Sequence, residues 1–105
     1  MLMTSTFTIK PDHPALPGHF PGNPVVPGVV VLEHLLAALA AIHPGLTCTG
    51  VRRMKFLRPL RPGETVSVRF GEARADGITV KAEAAGEPLV DGRLTLAQAP
   101  AESLR

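Results

Sequence analysis

The chain has 105 residues, of which 45% are hydrophobic and 19% charged, and its formal net charge is +2. These values are typical of one globular domain and argue against a disordered chain. The weak charge and the absence of Trp and Tyr argue against a nucleic-acid-binding protein. A single cysteine, Cys48, excludes an internal disulfide and a cysteine-based zinc site.

The sequence predicts a soluble, cytoplasmic protein. Residues 1–10 lack the basic and apolar regions of a targeting signal. The longest apolar stretch, residues 29–42, is interrupted by Glu33 and His34 and is shorter than the roughly 20 residues of a membrane span. We therefore expect a single domain over residues 1–105, without a membrane span and with residues 100–105 frayed.

The first half of the chain predicts a strand, a shaped loop and a helix. Residues 6–10 alternate polar and apolar side chains, which indicates a short strand. Residues 11–28 are rich in Pro and Gly, so they favour a stiff loop over a helix or a central strand. A helix is expected from Val29 to about Ile42, after Pro27-Gly28 and before His43-Pro44-Gly45. Because this helix is apolar on every face, we expect it to be buried on every face.

The second half of the chain predicts strands linked by hairpins. Strands are expected over residues 51–60, 65–74, 78–84 and 89–97, with turns at 61–64, 75–77 and 86–88. Three or four consecutive strands of this kind form an antiparallel sheet. The fold class predicted is therefore α+β, with a curved antiparallel sheet wrapped around one long central helix.

Two side chains depart from their local pattern and are candidates for chemistry. Glu33 lies within the apolar helix, where an unpaired carboxylate is costly to bury and a neutral carboxyl group can donate a proton. His19 lies in the rigid loop, and an imidazole can accept and return a proton near neutral pH. Structural interpretations stay open: Glu33 could reach solvent or an ion pair, and His19 could be a surface residue.

The predicted helix start is a third candidate feature. The first backbone N–H groups of a helix have no intrahelical acceptor and lie at the positive end of its dipole. They suit a carbonyl oxygen that gains negative charge, and Gly28 would let a substrate approach the backbone closely. Every helix has such an end, so this feature matters only in combination with the other two.

The combination resembles a known family. Residues 19–33 read HFPGNPVVPGVVVLE and match every fixed position of the signature H-F-P-G-x-P-x-x-P-G-V-x-x-x-E of the β-hydroxyacyl-acyl-carrier-protein dehydratases. Residues 55–64, KFLRPLRPGE, resemble the strand and Pro-Gly turn found downstream in that family. The resemblance implies the hotdog fold, in which a sheet wraps a long central helix. It also implies a dimer whose active sites are each shared between two subunits.

The resemblance also implies roles for individual residues. His19 of one subunit would remove the C2 proton of a 3-hydroxyacyl thioester, and Glu33 of the other would protonate the departing 3-hydroxyl group. The backbone N–H of Gly28, beside Val29, would hold the thioester carbonyl. No metal ion or other cofactor is implied. The residues expected to line the acyl tunnel are Phe20, Pro21, Pro27, Leu32 and Ala37.

Other features point to a short, specialised member of the family. The chain is shorter than the common fatty-acid enzymes, it has no Tyr, and Ala37 stands where the family often has Gln four residues after the acid. In these respects it resembles the short dehydratases of aryl-polyene pigment and other specialised lipid pathways.

An acyl carrier protein is the expected partner. Between His34 and Gly63 there is no carboxylate, whereas a set of basic residues is present: Arg52, Arg53, Lys55, Arg58 and Arg61. A basic rim would steer an acidic carrier protein toward the site. An equally good interpretation is a solvated strand face that is simply basic.

The sequence therefore predicts dehydration of 3-hydroxyacyl-acyl-carrier-protein thioesters to trans-2-enoyl thioesters. One alternative is a hotdog thioesterase or acyl-CoA hydratase, and another is a non-catalytic carrier-binding subunit of a dehydratase heteromer. A homodimer, a higher oligomer of dimers and a heteromer with a sister hotdog subunit are all open.

Overall fold

The structure is a computed structural model that describes residues 3–10 and 25–98. The predicted loop over residues 11–24 and the predicted frayed tail lie outside the described residues. The elements, in chain order, are β1 (Met3–Thr8), α1 (Gly28–Ile42), β2 (Leu46–Phe56), β3 (Thr65–Phe70), β4 (Ile78–Ala84) and β5 (Glu87–Gln98).

The five strands form one antiparallel sheet in the order β1-β3-β4-β5-β2. Strands β3, β4 and β5 are joined by hairpins, as the sequence predicts. The β4–β5 turn uses Ala85 (φ 52°) and Gly86 (φ 75°), the two left-handed residues that a tight hairpin turn requires. Strand β2 pairs with β5 and not with β3, so the series of linked hairpins contains three strands and not four.

The sheet curves around the helix. The close backbone contacts of α1 are with the two edge strands, β1 and β2, and with β3. A flat sheet packed against a helix would keep its edges at least as far away as its centre, so contact at both edges requires curvature. The predicted α+β fold with a wrapped helix is confirmed. Within the described residues, no helix is long and apolar enough to cross a membrane.

The core lies between α1 and the concave face of the sheet. Alternate residues of the central strands point into it, because side chains along a strand alternate between the two faces. Val66, Val68 and Phe70 of β3 are at most 1% exposed, which confirms the prediction that they share one side. They meet fully buried residues of the other elements: Val31, Leu35, Leu39, Ile78, Val80 and Leu94.

The expectation that α1 is buried on every face is wrong for this chain by itself. Only one side of the helix faces the sheet, where the buried residues are Val30, Val31, Leu35, Ala38 and Leu39. On the other side, Val29 is 64% exposed, and Glu33, Ala37 and Ala40 are exposed as well. The physical reason is geometric: one curved sheet covers only about half of a helix.

Four of the five strands have bounds that differ from the prediction, and the smallest difference is that of β5, which runs over Glu87–Gln98 instead of residues 89–97. β1 runs over residues 3–8 because it pairs along the full length of β3, from Met3 opposite Phe70 to Thr8 opposite Thr65. β2 begins at Leu46 and ends at Phe56, before Pro59, which has no N–H to donate to a neighbouring strand. β3 ends at Phe70, four residues before the predicted end.

Candidate active site

The helix start presents open backbone N–H groups. Pro27 is the N-cap, in an extended conformation (φ −60°, ψ 143°), and has no side chain to cap the helix. Its carbonyl accepts hydrogen bonds from the N–H groups of Val30 (3.0 Å) and Val31 (3.3 Å). The N–H groups of Gly28 and Val29 have no acceptor among the described residues. This positive helix end can therefore bind an oxygen that carries negative charge.

The segment that follows β2 fixes the position of the helix start. The N–H of Val26 donates to the carbonyl of Leu60 over 2.8 Å, and the N–H of Leu57 donates to the carbonyl of Leu89 over 2.8 Å. Val26 and Leu60 are themselves buried, at 4% and 2% exposure. Residues 57–60 thus connect strand β5 to the chain entering α1, which holds Gly28 in a defined place.

A cleft of about 500 Å³ opens beside Gly28. Its walls are mostly apolar: Val25, Val26, Gly28, Val31, Phe56, Leu57, Arg58, Pro59, Leu60 and Leu89. Phe56 and Leu57 are 46% and 50% exposed, which is unusual for side chains of this size. An apolar cleft with a few convergent polar groups is the usual form of a small-molecule site.

Arg58 holds one wall of this cleft together. Its guanidinium donates to both carboxylate oxygens of Glu64, over 2.8 and 3.3 Å. The same group donates to the carbonyls of Pro59 (2.8 Å) and Ala84 (2.9 Å). Glu64 also accepts a hydrogen bond of 2.9 Å from the backbone N–H of Arg61. The pair therefore ties the segment after β2 to the start of β3 and the end of β4.

The ion pair shifts the pKa of both of its members. Hydrogen bonds from Arg58 and from the Arg61 backbone hold the pKa of Glu64 below its ordinary value. The hydrogen bond to Glu64 raises the pKa of Arg58. The Nε atom of Arg58 is buried without a hydrogen-bond partner and lies 3.7 Å from a carboxylate oxygen of Glu87. Arg58 is thus engaged within its own chain.

The other basic residues predicted to bind a carrier protein lie at the surface. Arg53 pairs with Asp91 over 3.1 Å, and both side chains are well exposed. Arg52, Lys55 and Arg61 are exposed and make no side-chain ion pair within the part of the chain that is described. Their role in carrier binding stays a prediction.

Glu33 lies on the open face of α1. It is exposed, and it sits one turn after Val29 and one turn before Ala37 on the side away from the sheet. The premise that its own chain buries this carboxyl group is therefore wrong. A proton-donating role for Glu33 stays a prediction.

Three of the predicted site residues belong to the segment that is not described. His19, Phe20 and Pro21 lie outside the described residues, so their roles stay predictions. Of the other residues expected in a tunnel, Pro27 and Leu32 are half-buried and Ala37 is exposed, and none of the three lines the cleft.

Sequence reasoning did not single out Phe56 and Leu57 as cleft residues. Phe56 ends β2 and Leu57 follows it, and no periodicity of the sequence marks either of them as a cleft residue.

One helix packed on a curved five-stranded antiparallel sheet, with a cleft at the helix start, defines a hotdog-fold protein. Solved structures share this fold. The dehydratase heterocomplex ApeI:P from Xenorhabdus doucetiae matches with a TM-score of 0.78 at 21% identity, over 92% of this chain and 88% of that chain. The fluoroacetyl-CoA-specific thioesterase FlK matches with a TM-score of 0.68 at 17% identity, over 99% and 89%. The fold alone therefore does not separate dehydratases from thioesterases.

Sequence comparison distinguishes between these two classes of enzyme. The family described as ApeI-like, ApeI dehydratase, matches residues 2–93. The 3-hydroxyacyl-[acyl-carrier-protein] dehydratase FabZ of Thermomicrobium roseum is 36% identical, over 90% of this chain and 71% of that protein. Other FabZ relatives are longer, and the chain spans as little as 46% of one of them. The chain belongs to the ApeI-like dehydratase family and is related to the FabZ enzymes, which confirms the predicted resemblance.

Proposed function

We propose that this protein removes water from 3-hydroxyacyl groups carried on an acyl carrier protein and releases trans-2-enoyl thioesters. Membership of a dehydratase family supports this reaction. The observation that carries it is the helix start, where Gly28, whose N–H has no acceptor among the described residues, lines an apolar cleft of about 500 Å³. A thioester carbonyl bound there would be stabilised as it gains negative charge.

The proposed reaction uses three groups of the signature. The imidazole of His19 takes the C2 proton, and the electron pair of that C–H bond moves toward C1, so that the carbonyl oxygen gains enolate character. The N–H of Gly28 holds this oxygen. The electrons then form the C2–C3 double bond, and the C3–O bond breaks as Glu33 gives its proton to the leaving hydroxyl group, which departs as water. The acyl group stays attached to its thioester throughout.

We further propose that each site is shared between two chains. Glu33 lies on the open side of α1, where Val29 and Ala37 leave an apolar surface uncovered. β2 is a long edge strand of 11 residues, and an uncovered edge of this kind invites pairing with another chain. A second copy, a higher oligomer of dimers, or a sister hotdog subunit would cover this side.

The partner, location and pathway complete the proposal. Arg52, Lys55 and Arg61 would attract an acidic carrier protein, with contributions from Arg53 and Arg58 limited by their ion pairs. We propose a cytoplasmic protein with a single dehydratase domain. It would act in fatty-acid-like or aryl-polyene lipid synthesis, and the absence of Tyr and the presence of Ala37 in place of the usual Gln support the specialised pathway.

Two alternatives predict other products. A hotdog thioesterase would release the acyl group, as the shared fold with FlK permits. A non-catalytic subunit would bind the carrier protein and change nothing. The signature pair His19 and Glu33 favours dehydration, because neither alternative requires this pair at this spacing.

Mass spectrometry of a 3-hydroxyacyl-carrier protein incubated with the wild type separates these outcomes. Loss of water from the carrier-bound acyl group supports the proposal, whereas loss of the whole acyl group indicates a thioesterase. Glu33→Gln and His19→Ala should each abolish the loss of water. Glu83→Gln and His43→Ala, which remove the same groups elsewhere, should not. Turnover that survives in both Glu33→Gln and His19→Ala would reject the assigned roles.

A further inference from the structure

Phe56 occupies a position that its strand alone does not explain. It ends β2 opposite Val90, and directly opposed residues share one face of a sheet, so Phe56 points to the same side as the core. Val90 is 2% exposed, but Phe56 is 46% exposed. A large ring is thus kept at the surface, inside the cleft.

The ring lies against the first residue of α1. A Cβ atom on Gly28 would come within 3.3 Å of Cζ and 3.4 Å of Cε2 of Phe56. Gly28 is helical, a conformation open to any residue, so the backbone does not require glycine here. A side chain at position 28 would instead crowd the Phe56 ring, which would have to give way by a few tenths of an ångström. The two positions are therefore coupled.

We propose that Phe56 is a specificity-determining residue whose ring packs against the acyl group next to the thioester. This inference rests on the proposed function, because it takes the Gly28 N–H as the site of the carbonyl. A carbonyl oxygen that reaches that N–H brings C1 and C2 beside the ring. The uncovered ring surface would then be removed from water by the acyl group, which favours apolar acyl chains held in one orientation.

The kinetic test compares Phe56 with a matched control on the same strand and face. Val51 is 44% exposed, lies opposite buried Leu94, and is not among the residues that line the cleft. We expect Phe56→Ala to lower kcat/KM at least about tenfold and to flatten the preference among acyl chains, since one pocket group is worth roughly 10- to 200-fold in discrimination. Val51→Ala should keep the wild-type chain preference. Equal profiles for the two variants would overturn the inference.

A double variant tests the contact between Gly28 and the Phe56 ring. Gly28→Ala keeps the N–H but pushes a methyl group into the ring, so its activity should fall well below wild type. Adding Phe56→Ala removes the obstacle, and the double variant should be more active than Gly28→Ala alone. A double variant that is no better than Gly28→Ala would contradict the close packing of the Phe56 ring against Gly28, on which the inference rests.

A binding measurement separates this inference from the reaction. The chain has no Trp, so Phe56→Trp and Val51→Trp each carry one fluorescent reporter. Titration with octanoyl-pantetheine, which cannot lose water, should shift the emission of Phe56→Trp and leave that of Val51→Trp unchanged. If the emission of Phe56→Trp does not shift while the wild type dehydrates its substrate, the proposed role of Phe56 is contradicted. A shift without any dehydration by the wild type would support Phe56 and reject the proposed reaction.

Discussion

The two sides of α1 differ sharply in how completely the chain covers them. On the sheet side, Val68 and Leu94 are fully buried in a continuous apolar core. On the open side, Val29 is 64% exposed, and at the helix start Phe56 and Leu57 of the cleft are about half exposed. The comparison teaches that the core stabilises the chain itself. The open side with Glu33, and the helix start with its cleft, are where the proposed function places the contacts with other molecules.

The largest expected effect on stability comes from removing a phenylalanine ring from the core, and the same substitution in the cleft is its comparison. Phe70→Ala in the core should lower the free energy of unfolding by about 3–5 kcal/mol, because it removes a buried ring and leaves a cavity. Phe56→Ala should lower it by roughly 1 kcal/mol or less, since that ring is half in water. Urea denaturation at one protein concentration measures both. Equal losses would show that the cleft stabilises the fold as much as the core does.

A charge placed on the open side tests what covers it. Ala40 is exposed on α1, and Ala40→Glu should weaken assembly by about 3 kcal/mol if a second chain buries this face, because an unpaired buried charge is strongly unfavourable. Sedimentation equilibrium measures the shift toward monomer. Arg69→Glu, an exposed position on β3, is the control and should assemble like the wild type. Unchanged assembly of Ala40→Glu would mean that this face stays open.

The ion pair at the cleft wall should contribute less than the core. Glu64→Gln keeps the shape but removes the charge, and should lower the free energy of unfolding by about 1–2 kcal/mol, as for a partly buried charged hydrogen bond. Asp91→Asn removes the exposed pair with Arg53 and should change it by less than about 0.5 kcal/mol. Thermal unfolding of both variants tests this order, and a reversed order would contradict the role of Arg58 and Glu64.

The smallest effect is a pH dependence of that pair. Because the pKa of Glu64 is lowered in the folded chain, its contribution is fully present above the ordinary value of 4.5 and is lost as the pH falls through the folded pKa. Wild type should therefore lose more stability than Glu64→Gln when the pH is lowered from 6 to about 3. Parallel losses in the two proteins would show that the carboxylate is not linked to folding.

The patterns that depend on neighbours in the sequence were predicted well. The helix over residues 29–42 begins one residue earlier, at Gly28, and β4 has its predicted bounds. Local spacing and turn residues specify these elements. The contact between Gly28 and Phe56 joins residues far apart in the chain, and no periodicity reports it.

Burial was predicted less well for a related reason. An apolar pattern around α1 states which residues avoid water, but not which chain covers them. Glu33 was therefore expected inside its own chain, where the structure exposes it. The role assigned to His19 comes from the family signature, and His19 itself lies outside the described residues.

Subunit complementation tests the central claim most directly. His19→Ala and Glu33→Gln, each inactive alone, are mixed, unfolded together and refolded, and loss of water from a 3-hydroxyacyl-carrier protein is measured. If His19 and Glu33 of one site come from different chains, each mixed dimer regains one intact site, and random pairing restores about one quarter of the wild-type rate. A mixture that stays as inactive as its two parents, while forming mixed dimers, would contradict the account.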